Sequence, residues 1–270
     1  ICMIKNISTV FVFVIISLCC HSQQQPVHYG NNSQAGKYYQ VRGVNMYVEM
    51  YGKGMPLLMI HGNGGSIEAF YKNIPYFSKY YKVIAVDSRA QGKTTDNRDS
   101  LSFEMMADDF AALLTGLKID SAYVLGWSDG GITAILMAMR HPGKVIKFAA
   151  TGANILADST ALIPSLWNDM KEQYQRDKNK VYSSAKEKND WKLFMLDYLQ
   201  PKIKWEQLQT ISCPALIIAG DKDLIAPQHT LSIFQNIPRA QLWIMPSCGH
   251  ATLQDYPTEF NNKVQQFFKQ

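Results

Sequence analysis

The stretch Val124-Leu125-Gly126-Trp127-Ser128-Asp129-Gly130-Gly131 decides how this chain is read. Apolar residues lead into it from Ala122, as in a buried strand, and Ile132, Ile135, Leu136 and Met139 follow at helical spacing. Between strand and helix stands one serine, with glycine two positions before it and two after. A serine at so sharp a turn brings neighbouring chain close to its own backbone, which only small flanking residues allow. The turn lifts the hydroxyl off the sheet and aims the first free N–H groups of the helix at whatever Ser128 attacks. A motif this short needs its surroundings to give it meaning.

Strand and helix alternate on both sides. Residues 38–41 and 45–51 read as two short antiparallel strands about Arg42-Gly43. Residues 56–60 form a continuously apolar strand that ends in His61-Gly62-Asn63-Gly64-Gly65, with a helix starting near Ser66. Another buried strand, 81–86, closes in Asp87-Ser88-Arg89-Ala90-Gln91-Gly92. The spacing of Phe103, Met106, Phe110, Leu113 and Leu117 predicts a helix over 102–117 capped by Ser102. Beyond the serine come a helix to His141 and strands at 145–150, 215–219 and 241–245, with a helix from Pro227 before the last of them. A final amphipathic helix from Pro257 turns Phe260, Val264, Phe267 and Phe268 inward. The expected class is α/β, with a mainly parallel central sheet flanked by helices.

The alternation breaks between about 154 and 210. Two helical patterns occur there, Leu166, Trp167, Met170, Tyr174 and then Trp191, Phe194, Met195, Tyr198, Leu199, with no strand between them. A helical insertion without a sheet face of its own is expected to lie across the strand ends as a cap, its aromatic residues roofing a pocket.

Three side chains fall at equivalent places just past buried strands: Ser128, Asp223 in Gly220-Asp221-Lys222-Asp223, and His250 in Ser247-Cys248-Gly249-His250. In an open α/β sheet those ends share one edge, where the active site lies. A serine hydroxyl needs a base to take its proton; histidine titrates near neutrality, and a carboxylate fixes its tautomer and stabilises the imidazolium. His28, His141 and His229 fall in the lead-in, at a helix end and inside a helix, so His250 is the only histidine after Ser128 that closes a strand. Asp223 is preferred to Asp221 as its partner. The expected oxyanion donors are the backbone N–H groups of Asp129 and of Asn63, with Gly64 the alternative in that loop, and His61 is read as structural. No metal or organic cofactor is implied.

At 270 residues and 47% hydrophobic, the chain can bury one substantial core. Its charge of +5 arises from 27 basic and 22 acidic residues spread along the sequence, with no basic block of the kind nucleic-acid binding requires. Residues 1–22 read as a signal peptide: Lys5, an apolar run from Val10 to Cys20 too short to span a bilayer, then a small-residue cut after Ser22. Residues 23–36 follow as a flexible lead-in to a domain over 37–270. Export to the periplasm or beyond is expected, with a lipid anchor on Cys19 or Cys20 the lesser alternative and no membrane span once the signal is removed. Cys213 and Cys248 then remain. If the strands they flank are parallel neighbours, the sulfurs lie at opposite sheet edges, farther apart than the ~7 Å a disulfide spans. Two free thiols are expected.

The whole mature chain resembles the α/β-hydrolase superfamily, in its chain order Ser…Asp…His, its His61-Gly62 loop, its Asp87-Ser88-Arg89 turn and its Gly220–Asp223 segment. Residues 125–134, Gly152-Ala153-Asn154 and Cys213-Pro214-Ala215-Leu216-Ile217 more narrowly resemble the valacyclovir hydrolase (biphenyl hydrolase-like) family. The cap does not share that likeness, and Ala90 stands where the family's turn usually has glycine. The resemblance implies hydrolysis of α-amino-acid esters, with Asp129 binding the substrate's ammonium group. An acid in the first helical turn is also favoured by the helix dipole alone. The expected function is that of a secreted serine hydrolase acting on a small-molecule ester through an acyl-enzyme. The alternatives are a C–C bond hydrolase of dienone-type substrates and a small-molecule receptor that retains the triad.

Overall fold

In the computed structural model, which describes residues 27–270, eight strands form one sheet. They are β1 (Gly36–Val41), β2 (Val44–Tyr51), β3 (Pro56–Ile60), β4 (Lys82–Val86), β5 (Ala122–Trp127), β6 (Val145–Thr151), β7 (Ala215–Gly220) and β8 (Ala240–Met245). Their order is β1-β2-β4-β3-β5-β6-β7-β8. β2 runs antiparallel to both neighbours, and every pairing from β4 through β8 is parallel.

The apolar runs are continuous because both faces of the sheet are covered. In β3, Leu58 and Ile60 join one apolar cluster while Leu57 and Met59 join another; in β7, Ala215 and Ile217 alternate with Leu216 and Ile218 in the same way. Helices α2 (Phe103–Gly116) and α3 (Asp129–Arg140) cover the first face. The short α1 (Ile74–Phe77) covers the second. Ser102 caps α2 as its sequence predicts, its Oγ accepting from the Met105 N–H at 3.0 Å.

Between β6 and β7 the chain leaves the sheet to form α4 (Pro164–Asp177) and α5 (Ala185–Leu199). The two are joined by stacked rings: Tyr174 and Trp167 of α4 lie 4.6 and 5.6 Å from Tyr198 of α5. Leu193 and Leu196 of α5 reach down into the core of the first face. Asn189 and Lys192 bond carbonyls of the loops after β4, at Ala90, Asp96 and Arg98. The cap is therefore seated on the strand ends. After Leu199 the chain returns to the body, where α6 (Trp205–Leu208) buries Leu208. The remaining helices are α7 (Pro227–Asn236), α8 (Thr252–Asp255) and α9 (Pro257–Lys269). α9 buries Phe260, Val264, Phe267 and Phe268 against the second face.

Residues 1–26, which include the expected signal peptide, lie outside the described residues. Within the stretch expected as a flexible lead-in, Gly30 and Asn32 are hydrogen-bonded to the domain. Buried Glu49 accepts the N–H groups of Gly30 and Asn32, both at 2.8 Å, together with the hydroxyls of Tyr47 and Tyr51. Cys213 and Cys248 are unpaired, at opposite ends of the parallel neighbours β7 and β8. Among the described residues no helix is long and apolar enough to cross a membrane.

Candidate active site

The carboxyl ends of β3, β4, β5, β7 and β8 open onto one edge, and the chemistry-bearing residues follow them. Ser128 leaves β5 with φ 55° and ψ −117°, a conformation rarely held by a side-chain-bearing residue. The strain is held by packing. A Cβ on Gly126 would stand 2.0 Å from the Gly130 carbonyl oxygen, and one on Gly130 would stand 1.9 Å from that of Ile60. The Ser128 N–H is taken up by the Thr151 carbonyl at 2.8 Å, which ties the turn to β6.

His250 arrives from the loop after β8, which is anchored to the turn by Trp127 Nε1 donating to the His250 carbonyl at 2.9 Å. His250 Nε2 lies 3.0 Å from Ser128 Oγ, and its Nδ1 lies 2.6 Å from Asp223 Oδ1. With the carboxylate as acceptor, Nδ1 carries the proton and Nε2 is free to accept from the serine hydroxyl. Asp223 is buried and also accepts the Ile225 N–H at 3.1 Å. Asp221 faces elsewhere: its carboxylate accepts the Cys248 N–H, and backbone N–H groups of the 247–248 turn hold it below the usual carboxylate range. Beneath the imidazole lies Gly152, where φ is +63° and a Cβ would stand 2.7 Å from His250 Cε1.

The loop after β3 faces the serine. Its His61 is buried, with Nδ1 2.7 Å from the Gly62 carbonyl and Nε2 accepting the Ser88 N–H at 3.0 Å. Burial pushes His61 down to about 4, so it is neutral and joins two loops. Asp87 braces the same region by accepting the Ile67 and Lys93 N–H groups. Among the described residues, no other group takes up the Asn63 N–H or the Asp129 N–H. Both are free to donate to an oxyanion.

Beside Ser128 and His250 lies a cavity of about 260 Å³. Leu162, Leu166, Met170, Phe194, Leu224 and Ile225 make one side apolar, while Asp129 and Asp197 give it an acidic corner. Asp129 is 4% exposed, and its Oδ2 accepts from Asn63 Nδ2 at 3.0 Å. The same amide donates to the Leu193 carbonyl of α5 at 3.2 Å. Burial pushes the Asp129 carboxyl up; burial and then the Asp129 charge push Asp197 well above the usual carboxylate range.

Residues 55–190 match the family described as alpha/beta hydrolase fold. This chain belongs to the α/β-hydrolase fold family. Over 257 residues the hydrolase is 28% identical to the human "Serine hydrolase BPHL", covering 85% of this chain and 84% of that one. It is 26% identical to "2-hydroxymuconate semialdehyde hydrolase" of Pseudomonas sp. strain CF600, over 88% of this chain and 95% of that one. Among solved structures it resembles the meta-cleavage product hydrolase CumD of Pseudomonas fluorescens IP01 complexed with acetates. That likeness has a TM-score of 0.71 at 25% identity, covering 88% of this chain and 99% of the other.

Sequence reasoning singled out every member of the hydrogen-bonded line through this α/β-hydrolase, but it missed Asp197. The only signal was an acid three positions after Phe194 and next to Tyr198, inside an aromatic helical pattern, where charge ordinarily marks the solvent face. It also noted Gly152 without a role.

Proposed function

We propose that this α/β-hydrolase is a serine esterase that cleaves small carboxylic esters through an acyl-enzyme. The observation that carries the reading is the continuous line from Ser128 Oγ through His250 to buried Asp223, opening into a cavity of about 260 Å³. His250 Nε2 takes the serine proton as Oγ attacks the ester carbonyl, and the Asn63 and Asp129 N–H groups meet the charge on the carbonyl oxygen. His250 then gives that proton to the departing alcohol. Water, deprotonated by the same nitrogen, releases the acid and restores the serine. Asp223 stabilises the imidazolium without taking its proton. The volume lies just under the ~300–1,000 Å³ of pockets for drug-sized ligands, which suits a small acyl group.

Among such esters the acidic corner favours an acyl group that carries an α-ammonium, received by Asp129. A carboxylate so near a developing oxyanion opposes it unless a cation lies between. The test is a panel of esters matched in size, with and without an α-amine. Asp129→Asn is expected to lower kcat/KM for the aminoacyl members more than for the plain ones; equal losses remove the ammonium role. The C–C bond hydrolase reading draws support from the relatives named above. A muconate semialdehyde carries a carboxylate, however, and no lysine or arginine lines the cavity among the described residues. Turnover of a dienone acid faster than any ester in the panel would reverse that preference. Export is proposed on the composition of residues 1–22, and a mature N-terminus at Gln23 in an exported fraction supports it. An unprocessed N-terminus contradicts it.

A further inference from the structure

The buried acids among the described residues are otherwise provided for. Asp109 meets Arg89 at 2.6 Å, Asp223 meets His250, and Asp87 and Glu49 each accept at least two backbone N–H groups. Buried Asp129 is the exception, with half-buried Asp197 beside it in the cavity lining. Asp129 comes from the first turn of α3, next to the nucleophile, and Asp197 comes down from the cap on α5. The two carboxyls line the same corner of the cavity, close enough that the Asp129 charge bears on Asp197, and the Asn63 amide donates to Asp129. Neither forms an ion pair among the described residues, and besides Asp197 the titratable group that acts on Asp129 is His250. Buried charges are ordinarily paired, so an acid as enclosed as Asp129, facing another acid across a cavity wall, lacks a cation. The lack lies in the cavity, where both residues stand beside Ser128 and His250.

We infer that Asp197 and Asp129 together form the receptor for the substrate's ammonium group, the cap supplying one acid and the nucleophile turn the other. The inference rests on the esterase reading and names a second determinant for it. Two carboxyls so close cannot both ionise at little cost, so the empty pair holds one shared proton and a single negative charge. An incoming ammonium offers three N–H donors, which the carboxyl oxygens of two acids can accept. It takes the place of the shared proton: the monoanionic pair and the ammonium become a dianionic pair bound to the ammonium plus one released proton, so charge balances. Because one acid belongs to the cap, an amine at this corner also holds α5 against the strand ends. A plain acyl ester leaves the proton in place and makes no such bond. Selection for the amine is then divided between the body and the cap.

The test compares leucine methyl ester with methyl 4-methylpentanoate, its counterpart without the amine. In Asp197→Asn the ratio of their kcat/KM values is expected to fall at least tenfold toward the plain ester, with most of the change in KM. A ratio that stays unchanged, while Asp129→Asn abolishes the preference, overturns the role of Asp197 and leaves the esterase reading intact. Wild-type protein that turns over both esters with equal efficiency overturns the receptor as a whole. A second measurement keeps Asp197 in place: Ser128→Ala protein is titrated with leucine methyl ester by calorimetry at pH 6, in buffers of different ionisation enthalpy. Release of a proton that is absent with methyl 4-methylpentanoate supports the pair. Binding of the amine without proton release, or no binding that depends on the amine, overturns it.

Discussion

At position 152 a single methyl group decides whether His250 can hold its place. The backbone there has φ +63°, and a Cβ would come within 2.7 Å of His250 Cε1 and 2.9 Å of Nδ1. The Gly152→Ala protein must tilt the imidazole away from Ser128 or Asp223. A base misplaced by about 1 Å can cost about 10² in rate, so kcat on a fast ester is expected to fall by roughly that factor. A thermal melt taken alongside separates this from unfolding, and an unchanged kcat contradicts the assigned packing. The members of the line were legible because each follows a strand of the sheet, a property a one-dimensional pattern can carry, although β8, expected to be buried, is a half-exposed edge strand. Gly152 was not, because its partner lies far along the chain and a glycine after a strand has many explanations. Ala90 shows the converse. It takes a left-handed φ of 64° where the family resemblance led one to expect glycine, and its carbonyl receives the Asn189 amide at 2.8 Å.

At the level of elements, the cap is two helices held together mainly by rings. Tyr174 of α4 stacks on Tyr198 at 4.6 Å and on Trp191 at 6.3 Å, both on α5, and does not line the cavity. Aromatic pairs contribute about 0.5–1.5 kcal/mol each beyond the area they bury. Tyr174→Ala is therefore expected to loosen α4 from α5. Amide exchange should quicken over residues 164–199 and KM should rise several-fold, while kcat moves less. Exchange confined to the main body, with KM unchanged, would show that the stack does not hold the roof. Helical spacing of the aromatic residues was enough to predict both helices. It could not give the rotation of α5 about its axis, and that rotation turns Asp197 into the cavity with Phe194.

For the molecule as a whole, buried ionisable groups act on stability in opposing directions. Burial pushes His61 and His229 down to about 4 from 6.5, so the unfolded chain takes up their protons first and stability falls as pH drops from 6.5 toward 4. Burial pushes Asp87 up to about 6 from 3.8, so the folded chain takes up that proton first and stability rises as pH drops from 6 toward 3.8. The raised Asp129–Asp197 pair acts in the same sense. Denaturant unfolding between pH 6.5 and 4.5 should accordingly show a shallow slope. One approaching about 2.7 kcal/mol per pH unit, the limit for two unopposed histidines, contradicts this balance. The α/β class was readable because strands covered on both faces must be apolar throughout, and the change to a helical insertion stood out against them. The polar residues of the lead-in gave no sign that buried Glu49, a strand away, takes up the N–H groups of Gly30 and Asn32. The central claim is that Ser128 becomes acylated, and trapping the adduct tests it most directly. Intact-mass analysis after reaction with a fluorophosphonate or an activated ester, followed by peptide mapping, should find one modification, on Ser128. Ser128→Ala should abolish it and lower ester turnover by roughly 10⁶-fold, the loss seen in a comparable triad. Label on another residue, or turnover unchanged in Ser128→Ala, would contradict the account.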